Sequence, residues 1–199
     1  MKQRIKRRLE RTQPSLDTVA TALARLPDGV AEAWFKRPLV PAAVLVPLVE
    51  RDRRLHVLLT RRTEHLDDHP GQISFPGGRS ERSDTGPEHT ALREAREEIG
   101  LPEDSITIAG YLEPLAVVTG FAVTPVVGFV DTDARFTLDP FEVAEIFEVP
   151  LDFFLAEENH RCVERTVQGL TLPFSEFRYE EHRIWGATAM MIRELTGLL

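Results

Sequence analysis

The residues best suited to chemistry form one short run, Arg93-Glu94-Ala95-Arg96-Glu97-Glu98-Ile99-Gly100. At about 100° per residue on a helix, Glu94, Glu97 and Glu98 fall at about 0°, 300° and 40°, so the three carboxylates share one stripe. Like charges four residues apart, as at Glu94 and Glu98, weaken a helix by about 0.2–0.5 kcal/mol, and Arg93 and Arg96 offset part of that. Such a spacing occurs in solvated acidic faces. It also makes a cage of hard oxygen ligands for Mg²⁺ or Mn²⁺, ions that favour carboxylates and keep waters and substrate phosphates as their remaining ligands. Upstream, Gly77-Gly78 can bring the backbone close to a ligand, and a polar loop carrying Asp84 joins that pair to the acidic run.

The elements that must position these groups are visible in the hydrophobic pattern. Pro87 to Ile99 predicts a helix, led by Pro and Glu and closed by Gly100. Ala42 to Val49 is a continuous apolar run suited to a buried strand. Leu55 to Thr60 is a second one, across the charged turn Glu50-Arg51-Asp52-Arg53. Short strands are expected near Ile106–Leu112, Ala122–Val130 and Val143–Val149, with a hairpin around Gly169 joining Arg161–Val167 to Leu170–Phe174. The last run, Trp185 to Leu199, spaces Ala189, Ile192 and Leu195 like a helix, and Trp185 is expected to pack its start against the sheet. Residues 1–36 read as a helical extension of short helices, with Ser15-Leu16-Asp17 opening a run that keeps Val19, Leu23 and Leu26 on one face. Residues 37–199 then form one domain of class α/β (α+β), a mixed sheet covered on both faces.

Composition narrows the function classes. With 42% hydrophobic and 28% charged residues the chain is an ordinary globular protein. Its net charge of −8 argues against nonspecific nucleic-acid binding, which runs on phosphate neutralisation. The charge is uneven: residues 1–12 hold six basic residues and one acid, which reads as a solvated basic helix peripheral to catalysis. No apolar segment follows them, so no secretory signal is expected, and the longest near-apolar stretch, Ala116 to Val130, is too short and interrupted for a membrane span. Cys162 is the single cysteine, which excludes an intrachain disulfide and suits a reducing, cytoplasmic setting; a small buried apolar role is expected for it.

The stretch Gly78 to Leu101 resembles the Nudix box, Gly-x5-Glu-x7-Arg-Glu-U-x-Glu-Glu-x-Gly-U with U apolar. Gly78, Arg93, Glu94, Glu97, Glu98, Gly100 and Leu101 match, and Ala95 stands at a U position. Asp84 replaces the upstream Glu, and eight residues rather than seven separate it from Arg93. Leu58-Leu59-Thr60-Arg61-Arg62, followed by Gly71-Gln72-Ile73-Ser74-Phe75-Pro76-Gly77-Gly78, resembles the motif of the coenzyme A pyrophosphatases. Pro140-Phe141-Glu142-Val143, Val149-Pro150-Leu151 and Ile184-Trp185-Gly186-Ala187-Thr188-Ala189 resemble later segments of the same subfamily. Asp67-Asp68 depart from it, standing where basic residues are common.

The resemblance implies a Nudix-like α/β/α sandwich with a catalytic loop-helix-loop, and metal-dependent hydrolysis of the diphosphate bond of coenzyme A or acyl-coenzyme A. Other nucleoside diphosphate derivatives (ADP-ribose, NADH, a nucleoside triphosphate) and a non-catalytic ligand-binding module are the alternatives. It implies Glu94, Glu97, Glu98 and the Gly78 carbonyl as ligands of Mg²⁺ or Mn²⁺, with Arg93 orienting a neighbouring Glu. Glu97, Glu98, Arg93 and Glu145 are the candidates for catalysis, and the general base is to be sought among Glu97, Glu142 and Glu145. Arg62, Gln72, Gly77, Gly78 and Arg79 are the candidates for substrate contact. The expected partner is a small nucleoside diphosphate of coenzyme A type, and a homodimer is compatible with this reading.

Overall fold

Two long strands with apolar residues on both faces build the centre of the molecule. The computed structural model describes residues 1–35, 38–66, 69–167 and 169–199. Strand β1 (Val40–Arg51) turns back into β2 (Arg54–Arg62) through Asp52 and Arg53, at φ 49° and 64°. Two consecutive left-handed residues are the type I′ turn whose twist matches the flanking strands. β1 also runs parallel to β7 (Phe121–Val130), from Val40 opposite Phe121 to Val49 opposite Val130. Around these lie β3 (Ile73–Ser74) and β8 (Val143–Pro150) on β2, and β4 (Gly77–Arg79) on β1. β5 (Ile106–Tyr111) and β6 (Leu115–Val117) pair with β7, completing a mixed sheet of eight strands among the described residues.

Because side chains alternate across a strand, β1 feeds two cores. Ala43, Leu45 and Val49 meet Ala91, Ala95 and Ile99 of α4 (Pro87–Ile99) on one face. Ala42, Val46 and Leu48 join Ile5, Leu9, Phe154, Phe177 and Ile192 on the other. The small side chains of Ala91 and Ala95 let α4 lie close to β1. Its ends are those expected: Pro87 stands in the first turn, and Gly100 at φ 63° allows the amides of Gly100 and Leu101 to reach back to Arg96 and Ala95. The second face is covered by α1 (Lys2–Leu9), α5 (Leu151–Leu155) and α6 (Gly186–Gly197), with an antiparallel sheet of β9 (His160–Val167), β10 (Leu170–Tyr179) and β11 (His182–Trp185). This is the expected α/β/α layering.

The N-terminal helices are also part of these layers. In α1 the basic residues face solvent, but Ile5 is 0% and Leu9 2% exposed, and the Tyr111 amide donates to Thr12 Oγ1 at 2.8 Å. α2 (Thr18–Ala24) starts at Asp17, whose side chain accepts from the Ala20 amide, and packs Ala22 with Leu39 and Ala122. Trp34 ends α3 (Val30–Trp34).

Three expectations are corrected. β9 to β11 form their own sheet because α5 redirects the chain after β8. The last helix starts at Gly186 rather than Trp185, since pairing of β11 with β10 extends as far as Trp185 opposite Glu176. Cys162 is exposed, on the edge strand β9, rather than buried. Asp67 and Asp68 lie outside the described residues. No helix among the described residues is long and apolar enough to cross a membrane.

Candidate active site

The site begins with backbone pressed against backbone. β4 pairs with β1, setting Gly77 opposite Val44 and Gly78 opposite Ala43. A Cβ at Gly77 would collide with the Ala43 carbonyl, and one at Gly78 would lie 2.6 Å from Glu94 Oε1. Glycine at 78 lets the Glu94 carboxylate rest directly against the chain, and a Cβ there would displace that carboxylate.

Arg93 ties the loop to the helix. Its Nε and Nη2 donate to the two oxygens of Asp84 at 3.2 and 3.1 Å, its Nη1 to Glu94 at 2.7 Å and Glu97 at 2.9 Å, and its Nη2 to the Arg79 carbonyl at 3.0 Å. Arg93 thus orients Glu94 and Glu97 as expected, through paired charge-assisted bonds. Asp84, 2% exposed at its side chain, also accepts from Thr90 Oγ1 and the Glu81 amide and meets His89 Nδ1. The Arg93 guanidinium holds its carboxyl well below the usual range. Sequence reasoning treated Asp84 only as a departure from a pattern. The shorter acid and the extra loop residue together still reach Arg93.

Glu98 is the most buried acid of the stripe, 5% exposed. Its Oε2 accepts from the Gly77 amide at 3.3 Å, and its Oε1 lies 3.9 Å from Arg62 Nη1. Burial first, then the charges of Glu94 and Glu142, push its pKa up to about 8, against the partial relief of Arg62. Burial likewise raises Glu94, outweighing its bond to Arg93. Glu142 bears on both carboxylates and has no side-chain partner among the described residues. Glu97, at 53% side-chain exposure, is drawn to the outer side of α4 by Arg93.

Glu145 is differently placed. Arg61 Nε donates to one of its oxygens at 2.9 Å, and His182 Nε2 lies 3.2 Å from the other. These partners, Arg61 foremost, lower its pKa. His182 stacks on Phe147 at 3.8 Å between ring centroids, and its Nδ1 is buried without a partner.

A cleft of about 530 Å³ lies beside the acidic stripe, bounded by Gly77, Gly78 and Arg62, which touch or approach Glu94 and Glu98. It is lined by every expected substrate contact, Arg62, Gln72, Gly77, Gly78 and Arg79, and by Trp34, Phe174, Trp185 and Met190, which sequence reasoning had not linked to the site. Gln72 Oε1 lies 2.8 Å from His69 Nδ1, which holds the amide in place. Arg62 Nε is buried without a partner.

The donor set fits a divalent cation. Glu94 offers hard oxygens under the repulsion of Glu97, and Glu98 under that of Glu94, with the charge of Glu142 acting on both, and the nearest cationic atom to Glu98, Arg62 Nη1, stands off at 3.9 Å. Among the described residues the tightest convergence of three ligand atoms, within 4.8 Å, lies elsewhere, at the exposed Glu180-Glu181 turn beside His182. Glu94, Glu97 and Glu98 are spread more widely, with Arg93 between Glu94 and Glu97.

Similar proteins were found by sequence and by structure. The NUDIX domain profile matches residues 39–166. The "Uncharacterized Nudix hydrolase NudL" of Enterobacter sp. (strain 638) is 41% identical over 154 residues, covering 77% of this chain and 80% of that protein. Its counterpart in Yersinia pestis (strain Pestoides F) is 40% identical over 171 residues, 85% of each chain. Among solved structures, DR0079 from Deinococcus radiodurans superposes with a TM-score of 0.51 over 85% of this chain and 87% of its own, at 16% identity, a likeness of fold. Profile and relatives both span the loop and helix that carry Arg93, Glu94, Glu97 and Glu98, and this chain therefore belongs to the Nudix family.

Proposed function

We propose that this chain hydrolyses the diphosphate bond of coenzyme A or acyl-coenzyme A, giving the 4′-phosphopantetheine half and adenosine 3′,5′-bisphosphate. The carrying observation is that the segment resembling the coenzyme A pyrophosphatase motif lines the cleft through Gln72 to Phe75, Gly77 and Gly78, and that these two glycines touch the carboxylates of Glu98 and Glu94. In this reading residues 37–199 are the hydrolase domain, with 1–36 a helical extension docked on it. The compartment is the reducing cytoplasm.

Glu94, Glu97, Glu98 and the Gly78 carbonyl would hold Mg²⁺ or Mn²⁺, which when bound neutralises the diphosphate and lowers the pKa of the attacking water. The protein's own groups do the rest. Arg93 anchors one oxygen of Glu94 and one of Glu97 and leaves the other oxygen of each for the ion. Arg62, with an unused buried Nε–H, and Arg79 at the cleft edge take the phosphate oxygens. Gly77 and Gly78 let the diphosphate approach the main chain, and Gln72 offers its amide. We assign proton acceptance to Glu142 rather than Glu145, because Glu142 bears on the cluster with an unengaged side chain whereas both oxygens of Glu145 are taken.

The test is to supply coenzyme A, ADP-ribose, NADH and a nucleoside triphosphate with Mg²⁺ or Mn²⁺ and identify products by mass. Coenzyme A is expected to show the highest kcat/KM. Much faster turnover of ADP-ribose overturns the reading. Glu142→Gln is expected to lower kcat at least tenfold, and a larger loss in Glu145→Gln overturns the assignment of the base.

A further inference from the structure

One wall of the cleft comes from outside the profile match. Pro27 and Trp34 precede residues 39–166, and Leu172, Pro173, Phe174 and Met190 follow them. The two segments meet where Trp34 and Phe174 stack, ring centroids 6.3 Å apart at 21°. The volume, about 530 Å³, is that of a pocket for a sizeable small molecule. A diphosphate held at Arg62, Arg79 and the two glycines leaves this wall for another part of the substrate.

The wall's chemistry limits that part. Pro27 and Pro173 offer no N–H, and the side chains of Leu172, Phe174 and Met190 neither donate nor accept conventional hydrogen bonds. Against Leu172, Phe174 and Met190 a purine's ring nitrogens and amino group would find no side-chain partner, the polar groups of Arg25, Trp34 and Thr119 standing elsewhere on the lining. An alkyl chain needs none. Val118 and Met190, also at the cleft, are 46% and 45% exposed, apolar surface that a bound chain would cover. Met190, unbranched and polarisable, can adapt to chains of differing length.

We propose that this wall holds the acyl chain of an acyl thioester substrate, and that Trp34, Phe174 and Met190 set a preference for longer chains. The proposal rests on the coenzyme A reading above, which leaves free and acylated forms open. Each two-carbon extension that stays within the wall is expected to strengthen binding about tenfold.

The chain has two tryptophans, Trp34 and Trp185, and both line the cleft, so intrinsic fluorescence reports its occupancy. The probes are S-acetyl-, S-hexanoyl- and S-decanoylpantetheine, which lack the diphosphate and bind without being hydrolysed. Emission is expected to shift to shorter wavelength, with affinity rising along the series. Phe174→Ala and Met190→Glu are expected to cut the decanoyl-to-acetyl affinity ratio at least tenfold. Met190 is half-exposed, so M190E leaves the core intact, and a melting curve verifies the fold of each variant. In parallel, kcat/KM for acetyl- and decanoyl-coenzyme A with Mg²⁺ is expected to follow the same order, with the difference carried by KM. Equal affinity along the series, or an unchanged ratio in both variants, overturns the proposal even where coenzyme A is hydrolysed. Graded binding with no turnover of any coenzyme A ester supports the acyl wall and overturns the coenzyme A reading instead.

Discussion

The Arg93 network and the wall around Met190 hold their residues in opposite physical regimes. Arg93, 11% exposed at its side chain, makes five hydrogen bonds to four residues lying between positions 79 and 97. The wall brings segments near residues 27–34 and 172–190 together through the ring contact of Trp34 and Phe174, and Met190 stands half in water. Directional bonds in a buried network fix atoms to fractions of an ångström and fail together when one member is lost. Apolar contact tolerates displacement and fails locally. Chemistry at phosphorus needs the first regime, and selection among substrates can use the second.

The largest expected effect is at Asp84. Asp84→Ala strips the buried partner from Arg93 and should cost about 3–5 kcal/mol in urea unfolding. The sign with pH follows from the depressed carboxyl. Its contribution is complete above about pH 4 and is lost as pH falls through the folded-state value, so the gap between wild type and D84A should close in acid. Next, Glu98→Gln should lower kcat at saturating Mg²⁺ at least a hundredfold, about 2.7 kcal/mol in barrier. Its metal-free melting temperature should stay level or rise, because Gln escapes the cost of burying a carboxyl that must take up a proton on folding near neutral pH. Gly78→Ala presses a methyl against Glu94 from 2.6 Å and should cost about tenfold in turnover with little change in melting. Leu172→Ala, in the half-buried wall, should cost only about 1 kcal/mol in thermal unfolding. A Leu172→Ala penalty equal to that of Asp84→Ala would break the contrast between network and wall.

The two regions were also unequally readable. α4 announced itself because its signals are local: Pro87 at the start, Gly100 at the end and three glutamates on one stripe. The paired strands around Ala43 and Leu58 followed from unbroken apolar runs. The role of Asp84 was hidden because its partner is met across a loop whose length and side chain changed together. The wall could not be read at all, since no periodicity links Trp34 to Phe174 and their contact depends on how β10 packs over the large core. Glu142 and Glu145 were indistinguishable as letters. A bulge in β2 at Arg61/Arg62 and the approach of His182 separate them in space.

Ile5 and Leu9 are two buried residues on a basic helix. They also act as a stopper: with α6 they close the face of the sheet opposite α4. A chain trimmed to residues 39–166 would keep every glutamate of the α4 stripe and yet leave that face bare, without Ile5, Leu9, Phe177, Ile184, Ala189, Ile192 and Leu195. The boundary of the chemistry and the boundary of the foldable unit are therefore different lines in this protein. An N-terminal helix that carries only surplus charge in the sequence is a piece of its keel.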